Sequence, residues 1–221
     1  MPLKHIKAVI FDLDGVIVST DECHYLAWKQ IAVNEDIPFN RQDNERLRGV
    51  SRMESLEILL EKARVGYTDA QKAIMADKKN NVYKQLIAKL TPNDLLPGAR
   101  ETLERLKADG IKVAIGTVSK NAPAILKYIG LEGFFDAVAD GSQISRGKPD
   151  PEVFLLAARL LGVPPVNCLV VEDAAAGILA AVNGGMCSLG VGSAAAHPKA
   201  SLSARSLNDI HLSEIIKCEE V

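Results

Sequence analysis

The sequence predicts an α/β fold in which a doubly wound parallel sheet carries a helical domain inserted after its first strand. Short β-branched runs alternate with amphipathic helical segments over the second half of the chain, which is typical of a parallel sheet with helices on both faces. The stretch from residue 18 to residue 94 has helical patterns and no convincing strand. The chain has 221 residues, which suits one large domain with a smaller insertion.

Five short apolar runs predict the strands of the sheet, and such runs are typical of strands buried on both faces. They lie at 8–11, 113–116, 137–139, 169–171 and 188–191. Helical patterns accompany the later runs, at 99–108, 122–129, 151–161 and 175–183. These elements predict a Rossmann-like core domain formed by residues 1–17 and 95–221, in which 193–206 is a loop.

The segment 18–94 breaks this alternation and predicts a helical cap domain. It is richer in charge, and amphipathic helical patterns lie at 24–33, 51–64 and 69–90. Turn signals separate these patterns at Ile37-Pro38, Val65-Gly66 and Thr91-Pro92. The simplest account is a module that leaves the sheet after the first strand and returns to it near Gly98.

Composition limits the classes of function. Hydrophobic residues make up 48% of the chain and charged residues 24%, so we expect a sizeable core and no extended disorder. The net charge of −2 gives no electrostatic reason to expect a nucleic-acid or membrane partner. The apolar run before Asp12 is too short for a signal peptide or a membrane span, so we expect a cytoplasmic protein. We also expect a monomer.

Two acidic pairs follow predicted strands, at the sheet edge where parallel α/β proteins bind ligands. Asp12 and Asp14 come after the first strand, Gly15 lets the backbone turn, and Glu172 with Asp173 follows a later strand. A lone Asp-x-Asp pair is usually a solvated loop start, but this double arrangement favours a metal site. Converging carboxylates need a cation, and oxygen ligands suit Mg²⁺. Asp173 is the better ligand of its pair, whereas Glu172 fits either a ligand or a residue that orients one.

Groups that could hold a phosphate follow other strands. The segment from Thr117 to Asn121 offers hydroxyls and backbone N–H groups before a helix, an arrangement that suits both an anion and ordinary N-capping. Asp150 is predicted to cap the next helix, with Pro151 at its first position. Lys148 precedes them at the same sheet edge, where a lysine can neutralise phosphate or carboxylate charge.

These motifs, in this order, resemble those of the haloacid dehalogenase superfamily along the whole chain. The four motifs correspond to Asp12-Leu13-Asp14-Gly15, Thr117 to Ser119, Lys148 and Glu172-Asp173. The resemblance implies that Asp12 attacks phosphorus and forms an aspartyl phosphate, with Asp14 as general acid and base. Mg²⁺ would be held by Asp12, the Asp14 backbone and the second acidic pair. Asp14 argues for phosphoryl transfer, because a dehalogenase would not need it.

Residues of the predicted cap indicate which phosphoryl-transfer reaction to expect. Ser51 and Glu54 form a capping-box pattern, which places Arg52 in a first helical turn, where the helix dipole disfavours a cation and a bound anion would explain it. His24 lies on one predicted helical face with Trp28, a residue that is more often core than ligand. Lys79 is ambiguous, because its helix pattern fits a solvated face.

Within the superfamily, the cap motifs resemble those of sugar-phosphate mutases. The resemblance implies interconversion of β-D-glucose 1-phosphate and glucose 6-phosphate through a bound β-D-glucose 1,6-bisphosphate, with Thr20 in the hinge. The residues that it places near the substrate are His24, Trp28, Gly49, Val50, Ser51, Arg52, Lys79, Thr117, Val118, Ser119, Lys120, Asn121 and Lys148.

Three departures from the pattern leave the preferred sugar open. Ser19 stands where an aspartate is expected, Ala174 where a serine is common, and Thr117 where a serine is frequent. The first alternative is a sugar-phosphate phosphatase, which would use the same aspartates but need to bind one phosphate only. The more remote alternative is a non-catalytic sugar-phosphate sensor, which the intact Asp12 and Asp14 disfavour.

Overall fold

A computed structural model describes residues 5–47 and 50–218 and contains one parallel sheet. Its strands are β1 (Ala8–Phe11), β2 (Lys112–Gly116), β3 (Ala137–Ala139), β4 (Cys168–Glu172), β5 (Cys187–Gly190) and β6 (Leu202–Ser203). The spatial order is β3-β2-β1-β4-β5-β6, and every pairing is parallel. Because β1 lies between β2 and β4, the residues that follow these three strands meet at one edge of the sheet.

The helices are numbered along the chain. They are α1 (Asp21–Asn34), α2 (Arg41–Glu45), α3 (Arg52–Leu60), α4 (Asp69–Ile87), α5 (Ala99–Ala108), α6 (Ala122–Tyr128), α7 (Glu152–Leu161), α8 (Ala175–Asn183) and α9 (Leu212–Cys218). Short 3-10 segments lie at Pro92–Asp94, Pro165–Asn167, Gly192–Ala194 and Leu207–Asp209.

The sheet is covered on both faces, as the apolar runs predict. All four residues of β1 are buried. Val9 and Phe11 pack into one hydrophobic cluster with residues of α5 and α6, while Ala8 and Ile10 pack into another with residues of α7 and α8. Successive side chains of a strand point to opposite faces, so this division is that of a sheet buried between two helical layers. The predicted doubly wound α/β core is therefore confirmed.

The helices α1, α3 and α4 share a third hydrophobic cluster. Trp28 and Ile31 of α1 pack there with Leu56 of α3 and Met75 of α4. This cluster is distinct from the two that cover the sheet. The division of the chain at residues 17/18 and 94/95 stays a prediction.

Several elements differ from the sequence prediction. The short helix α2, the C-terminal helix α9 and the two-residue strand β6 were not expected, and β6 lies inside the predicted loop 193–206. The helix α7 begins at Glu152 instead of Pro151, which is its N-cap. Asp150 nevertheless accepts a hydrogen bond of 3.0 Å from the Glu152 N–H, so the capping interaction is displaced by one residue. No helix among the described residues is long and apolar enough to cross a membrane.

Candidate active site

The ends of β1, β2 and β4 bring the predicted catalytic residues together. Asp12 directly follows β1, and its backbone N–H donates a 2.9 Å hydrogen bond to the carbonyl of Val171 in β4. Thr117 directly follows β2, and Glu172 is the last residue of β4. The loop after β3 returns Lys148 to the same edge.

A buried lysine lies between two of the acidic residues. The Lys148 ammonium donates to a carboxylate oxygen of Asp12 over 2.8 Å and also to the carboxylate of Glu172. The side chains of Lys148 and Glu172 have no exposed surface, and that of Asp12 is 8% exposed. Burial opposes the charge of Lys148, but the two carboxylates outweigh it and hold its pKa above the usual value. Lys148 therefore remains a cation and neutralises part of the acidic cluster.

The remaining negative charge fits a divalent cation. Asp12, Glu172 and Asp173 are buried, and each offers a carboxylate oxygen within 4.8 Å of the others. One lysine cannot balance three carboxylates, and a hard ion such as Mg²⁺ prefers oxygen ligands of this kind. Both Glu172 oxygens already accept hydrogen bonds, from Lys148 and from the Ala174 N–H at 2.9 Å. Both oxygens of Glu172 are therefore already engaged with other groups, and whether Glu172 also binds the ion stays a prediction.

Two glycines leave room for this acidic cluster. A Cβ on Gly15, whose φ is +82°, would lie 2.2 Å from an oxygen of Asp173. A Cβ on Gly177, in the first turn of α8, would lie 1.9 Å from an oxygen of Glu172. These distances are far below van der Waals contact, so larger residues would displace the carboxylates.

Replacing Gly177 by alanine is expected to lower the free energy of unfolding by about 1–3 kcal/mol, because the new methyl group overlaps a fully buried glutamate. Urea unfolding measures the change. Gly66→Ala is the matched control, since a Cβ there meets nothing within 4 Å. Equal stability of the two variants would contradict the packing described here.

Asp14 faces Thr20, the predicted hinge residue, instead of the acidic cluster. Its carboxylate accepts a hydrogen bond from the buried hydroxyl of Thr20, the residue that precedes α1. Burial, and next the negative charge of Asp12, raise the pKa of Asp14 to about 6. A carboxyl group with a pKa near neutrality can give and take a proton at physiological pH, which suits the predicted role in acid–base catalysis. It stays a prediction that the backbone carbonyl of Asp14 binds the metal ion.

Side-chain hydroxyls in the loop after β2 accept hydrogen bonds from its backbone, and anion binding by this loop stays a prediction. The Thr117 hydroxyl accepts a hydrogen bond from the Ser119 N–H at 3.2 Å, and the Ser119 hydroxyl accepts one from the Asn121 N–H at 3.3 Å. Asn121 makes no side-chain cap, although capping was predicted as one of its roles. Its amide instead donates to Asn80 of α4 over 3.0 Å.

The cap places a second buried lysine over the site. Lys79 is only 3% exposed, so the expectation of a solvated helix face is wrong. Its ammonium lies 3.1 Å from Nδ1 of His24 and packs over the rings of Trp28 and Tyr83. Burial, and next the charge of Arg52, lower the pKa of Lys79 to about 7. Burial, Lys79 and Arg52 together hold the pKa of His24 well below its usual value, so His24 is neutral beside Lys79.

The predicted capping box in the cap is present. Ser51 accepts from the Glu54 N–H, and Glu54 accepts from the Ser51 N–H at 2.8 Å, so α3 begins at Arg52. Arg52 is half-buried in the first turn of α3, as predicted. Val50 lies beside it in the cavity wall, whereas Gly49 lies outside the described residues.

A cavity of about 500 Å³ contains the predicted site residues from both parts of the chain, a size that suits a small substrate. The sheet edge contributes Asp12, Asp14, Asp173 and the segment Thr117 to Asn121. The cap contributes His24, Trp28, Val50, Ser51, Arg52 and Lys79. Lys148 and Glu172 lie behind Asp12, fully buried.

Comparison with known proteins agrees with this geometry. A haloacid dehalogenase-like hydrolase family model matches residues 6–185. The chain belongs to this family. It is 48% identical over 209 residues to β-phosphoglucomutase of Bacillus subtilis, an alignment that covers 94% of this chain and 92% of that protein. It is 34% identical over 185 residues to a phosphorylated carbohydrates phosphatase of Thermotoga maritima, covering 82% of each chain.

Comparison with solved structures gives the same result. The crystal structure of β-phosphoglucomutase from Clostridium difficile matches with a TM-score of 0.91 and 40% identity, covering 96% of this chain and 97% of that chain. A hydrolase from Pseudomonas syringae matches with a TM-score of 0.82 and 30% identity, covering 95% and 99%. The fold, the family and the expectation of an enzyme are therefore confirmed.

Other residues of the cavity wall were not predicted by the sequence analysis. Among them are Ser55, Asp77, Tyr83 and Arg146. Tyr83 lies one helical turn after Lys79, and this i, i+4 spacing was the available signal. Arg146 precedes Lys148 by two residues, but its side chain is 71% exposed and pairs with Asp150, so its position in the sequence did not distinguish it from a surface residue.

Proposed function

We propose that this protein interconverts β-D-glucose 1-phosphate and glucose 6-phosphate, the reaction of a β-phosphoglucomutase. The observation that carries this proposal is one cavity that contains both the Asp12–Asp14 pair and the cationic residues Arg52 and Lys79 of the cap. A mutase must bind a phosphate at each end of its sugar, whereas a phosphatase needs to bind one. The 48% identity to the Bacillus subtilis enzyme supports the same choice.

In the proposed reaction, a carboxylate oxygen of Asp12 attacks phosphorus and forms an aspartyl phosphate, which is later passed to the other end of the sugar. Lys148 holds Asp12 in place and balances its charge. Mg²⁺, held by Asp12 and Asp173 with the Asp14 carbonyl, would offset repulsion between the carboxylate and the phosphate. Glu172 orients Lys148 and the Ala174 N–H.

Asp14 acts in this proposal as the general acid and base toward the sugar hydroxyl. With a pKa of about 6, it protonates the departing sugar oxygen in one half of the cycle and removes the proton of the attacking hydroxyl in the other. Thr20 donates to its carboxylate and fixes its direction. Such acid–base assistance is worth about 10²–10⁴ in rate.

The proposed substrate-binding groups divide between the two parts of the cavity. Ser119, Lys120 and Asn121, together with Arg52, bind the phosphate that is not transferred. Lys79 brings positive charge over the sugar beside the neutral His24, and binding of an anionic substrate would favour the charged form of Lys79. Under this proposal β-D-glucose 1,6-bisphosphate is the bound intermediate and a trace of it starts the cycle.

The experiment that tests the proposal measures products. The protein is incubated with β-D-glucose 1-phosphate, Mg²⁺ and a trace of the bisphosphate. We expect glucose 6-phosphate to account for most of the substrate consumed, with little inorganic phosphate. If inorganic phosphate and glucose are instead the main products, the protein is a sugar-phosphate phosphatase, the activity printed for the Thermotoga maritima relative.

A further inference from the structure

A hydrogen bond joins the cap helix α4 to the loop after β2, the segment from Thr117 to Asn121 that is proposed to bind phosphate. The amide nitrogen of Asn121 donates to the amide oxygen of Asn80 over 3.0 Å. Both residues are half-buried, which limits competition from water. Asn80 follows the buried Lys79 directly, so the contact lies at the wall of the cavity.

The same face of α4 approaches the core again one turn later. Tyr83 lies three residues after Asn80, is 1% exposed and is part of the cavity wall. Its buried hydroxyl faces Thr20 and Ser119 but makes no hydrogen bond of standard geometry among the described residues. The hydrogen bond of standard geometry between this face of α4 and the loop after β2 therefore comes from Asn80.

A second cap–core contact is steric. The backbone at Gly147, next to Lys148, approaches the capping box of α3, and a Cβ on Gly147 would lie 3.2 Å from a carboxylate oxygen of Glu54. This contact limits how near the cap can come to the core, but it gives no attraction comparable to a hydrogen bond. The contact between Asn80 and Asn121 is thus the better candidate for holding the cap over the cavity.

Asn121 also belongs to the group proposed to bind the phosphate that is not transferred. A primary amide has two N–H donors, and Asn80 takes one of them. The other remains for a phosphate oxygen, so Asn80 fixes the direction in which that donor points. A single amide would thereby connect substrate binding with the position of the cap.

We propose that Asn80 is a positioning residue that determines whether the phosphate on Asp12 passes to the sugar or to water. This inference rests on the proposed function. In the unwanted reaction, a water oxygen bonds to phosphorus, the bond between phosphorus and the Asp12 oxygen breaks, and Asp14 takes the proton. The products are inorganic phosphate and the original carboxylate. A cap held by Asn80 restricts the entry of that water molecule.

The test compares Asn80→Ala with Asn81→Ala, the same change at the next, exposed position of α4. The readout is inorganic phosphate released per glucose 6-phosphate formed. Loss of one hydrogen bond is expected to raise this ratio about two- to tenfold in Asn80→Ala. Asn81→Ala should keep the wild-type ratio. Asn80→Asp retains the acceptor oxygen for Asn121, so its ratio should lie nearer to that of the wild type.

The outcomes separate this inference from the proposed function. Wild-type protein that mainly releases phosphate would refute the mutase proposal whatever the variants do. A wild-type mutase whose product ratio is unchanged in Asn80→Ala would overturn the role of Asn80 alone. A ratio raised equally by Asn80→Ala and Asn81→Ala would also overturn it, because the effect would then follow from the helix and not from the hydrogen bond. Thermal unfolding of each variant verifies that the compared proteins are folded.

Discussion

Replacing Asp12 by asparagine is expected to lower kcat by about 10⁴-fold or more, which is the scale seen when an enzyme loses its nucleophile. Asparagine has nearly the same shape as aspartate, but its neutral amide oxygen is a poor nucleophile. The change also removes one of the two carboxylates that hold Lys148, while Glu172 keeps the other contact. Folding should therefore survive, and the loss should lie in the chemical step.

Two measurements test this prediction. Turnover of β-D-glucose 1-phosphate gives kcat, and mass spectrometry of protein quenched during turnover shows whether a phosphoryl group is attached. Wild-type protein should carry the group on Asp12, and Asp12→Asn should carry none. Asp69→Asn, the same substitution at an exposed position of α4, should behave as wild type. Turnover near the wild-type rate in Asp12→Asn would remove Asp12 from the mechanism.

The sheet and its catalytic edge were predictable because local patterns determine them. The run Ala8–Phe11 is apolar at every position, and only a strand buried on both faces uses such a segment well. Asp12 comes at its end, where the chain must leave the sheet, and Gly15 takes the positive φ of the turn. A prediction from these residues needs no knowledge of distant contacts. The same is true of α3, whose start follows from the reciprocal bonds of Ser51 and Glu54.

The cap side of the site was less predictable because tertiary contacts decide it. Lys79 lies in a polar, lysine-rich stretch, and its sequence neighbours fit a solvated helix. Its burial depends on His24, Trp28 and Tyr83, and the first two of these belong to another helix. The hydrogen-bond partner of Asn121 could not be predicted from the sequence for the same reason, since Asn80 is 41 positions away. The elements α2 and β6 are too short to show the hydrophobic periodicity by which longer elements are recognised.

The electrostatic properties of the site also follow from its assembly. Asp14 and Lys79 have ordinary pKa values as isolated side chains, near 4 and above 10. Burial between core and cap raises the first to about 6 and lowers the second to about 7. In both cases burial disfavours the charged form of the side chain. Ionising Asp14 or Lys79 in the cavity without substrate therefore costs more free energy than it does in water. A phosphorylated sugar brings negative charge close to Lys79 and Arg52, and its binding is thereby favoured.

Replacing Arg52 by alanine is expected to separate mutase chemistry from simple phosphoryl transfer. Hydrogen bonds to charged groups contribute about 1.5–3 kcal/mol each, so kcat/KM for β-D-glucose 1-phosphate should fall by about 10²-fold. Phosphorylation of Asp12 by acetyl phosphate, a donor with one phosphate, should remain close to the wild-type rate. Arg52 lies on the cap and makes no described contact with Asp12, so a donor without a second phosphate has little use for it.

The control for this prediction is Arg46→Ala, which removes an arginine of the cap surface that pairs with Glu61 at 2.7 Å. It should leave both reactions near the wild-type rate, because exposed ion pairs contribute little. If Arg52→Ala slowed both reactions equally, Arg52 would act on the transferred phosphate or on folding, and the case for a two-phosphate site would be lost. If it slowed neither, the cap arginine would be a surface residue and the cavity would suit a phosphatase equally well. Only a selective loss of mutase turnover would indicate that the aspartates of the core and the cations of the cap act together in one mutase site.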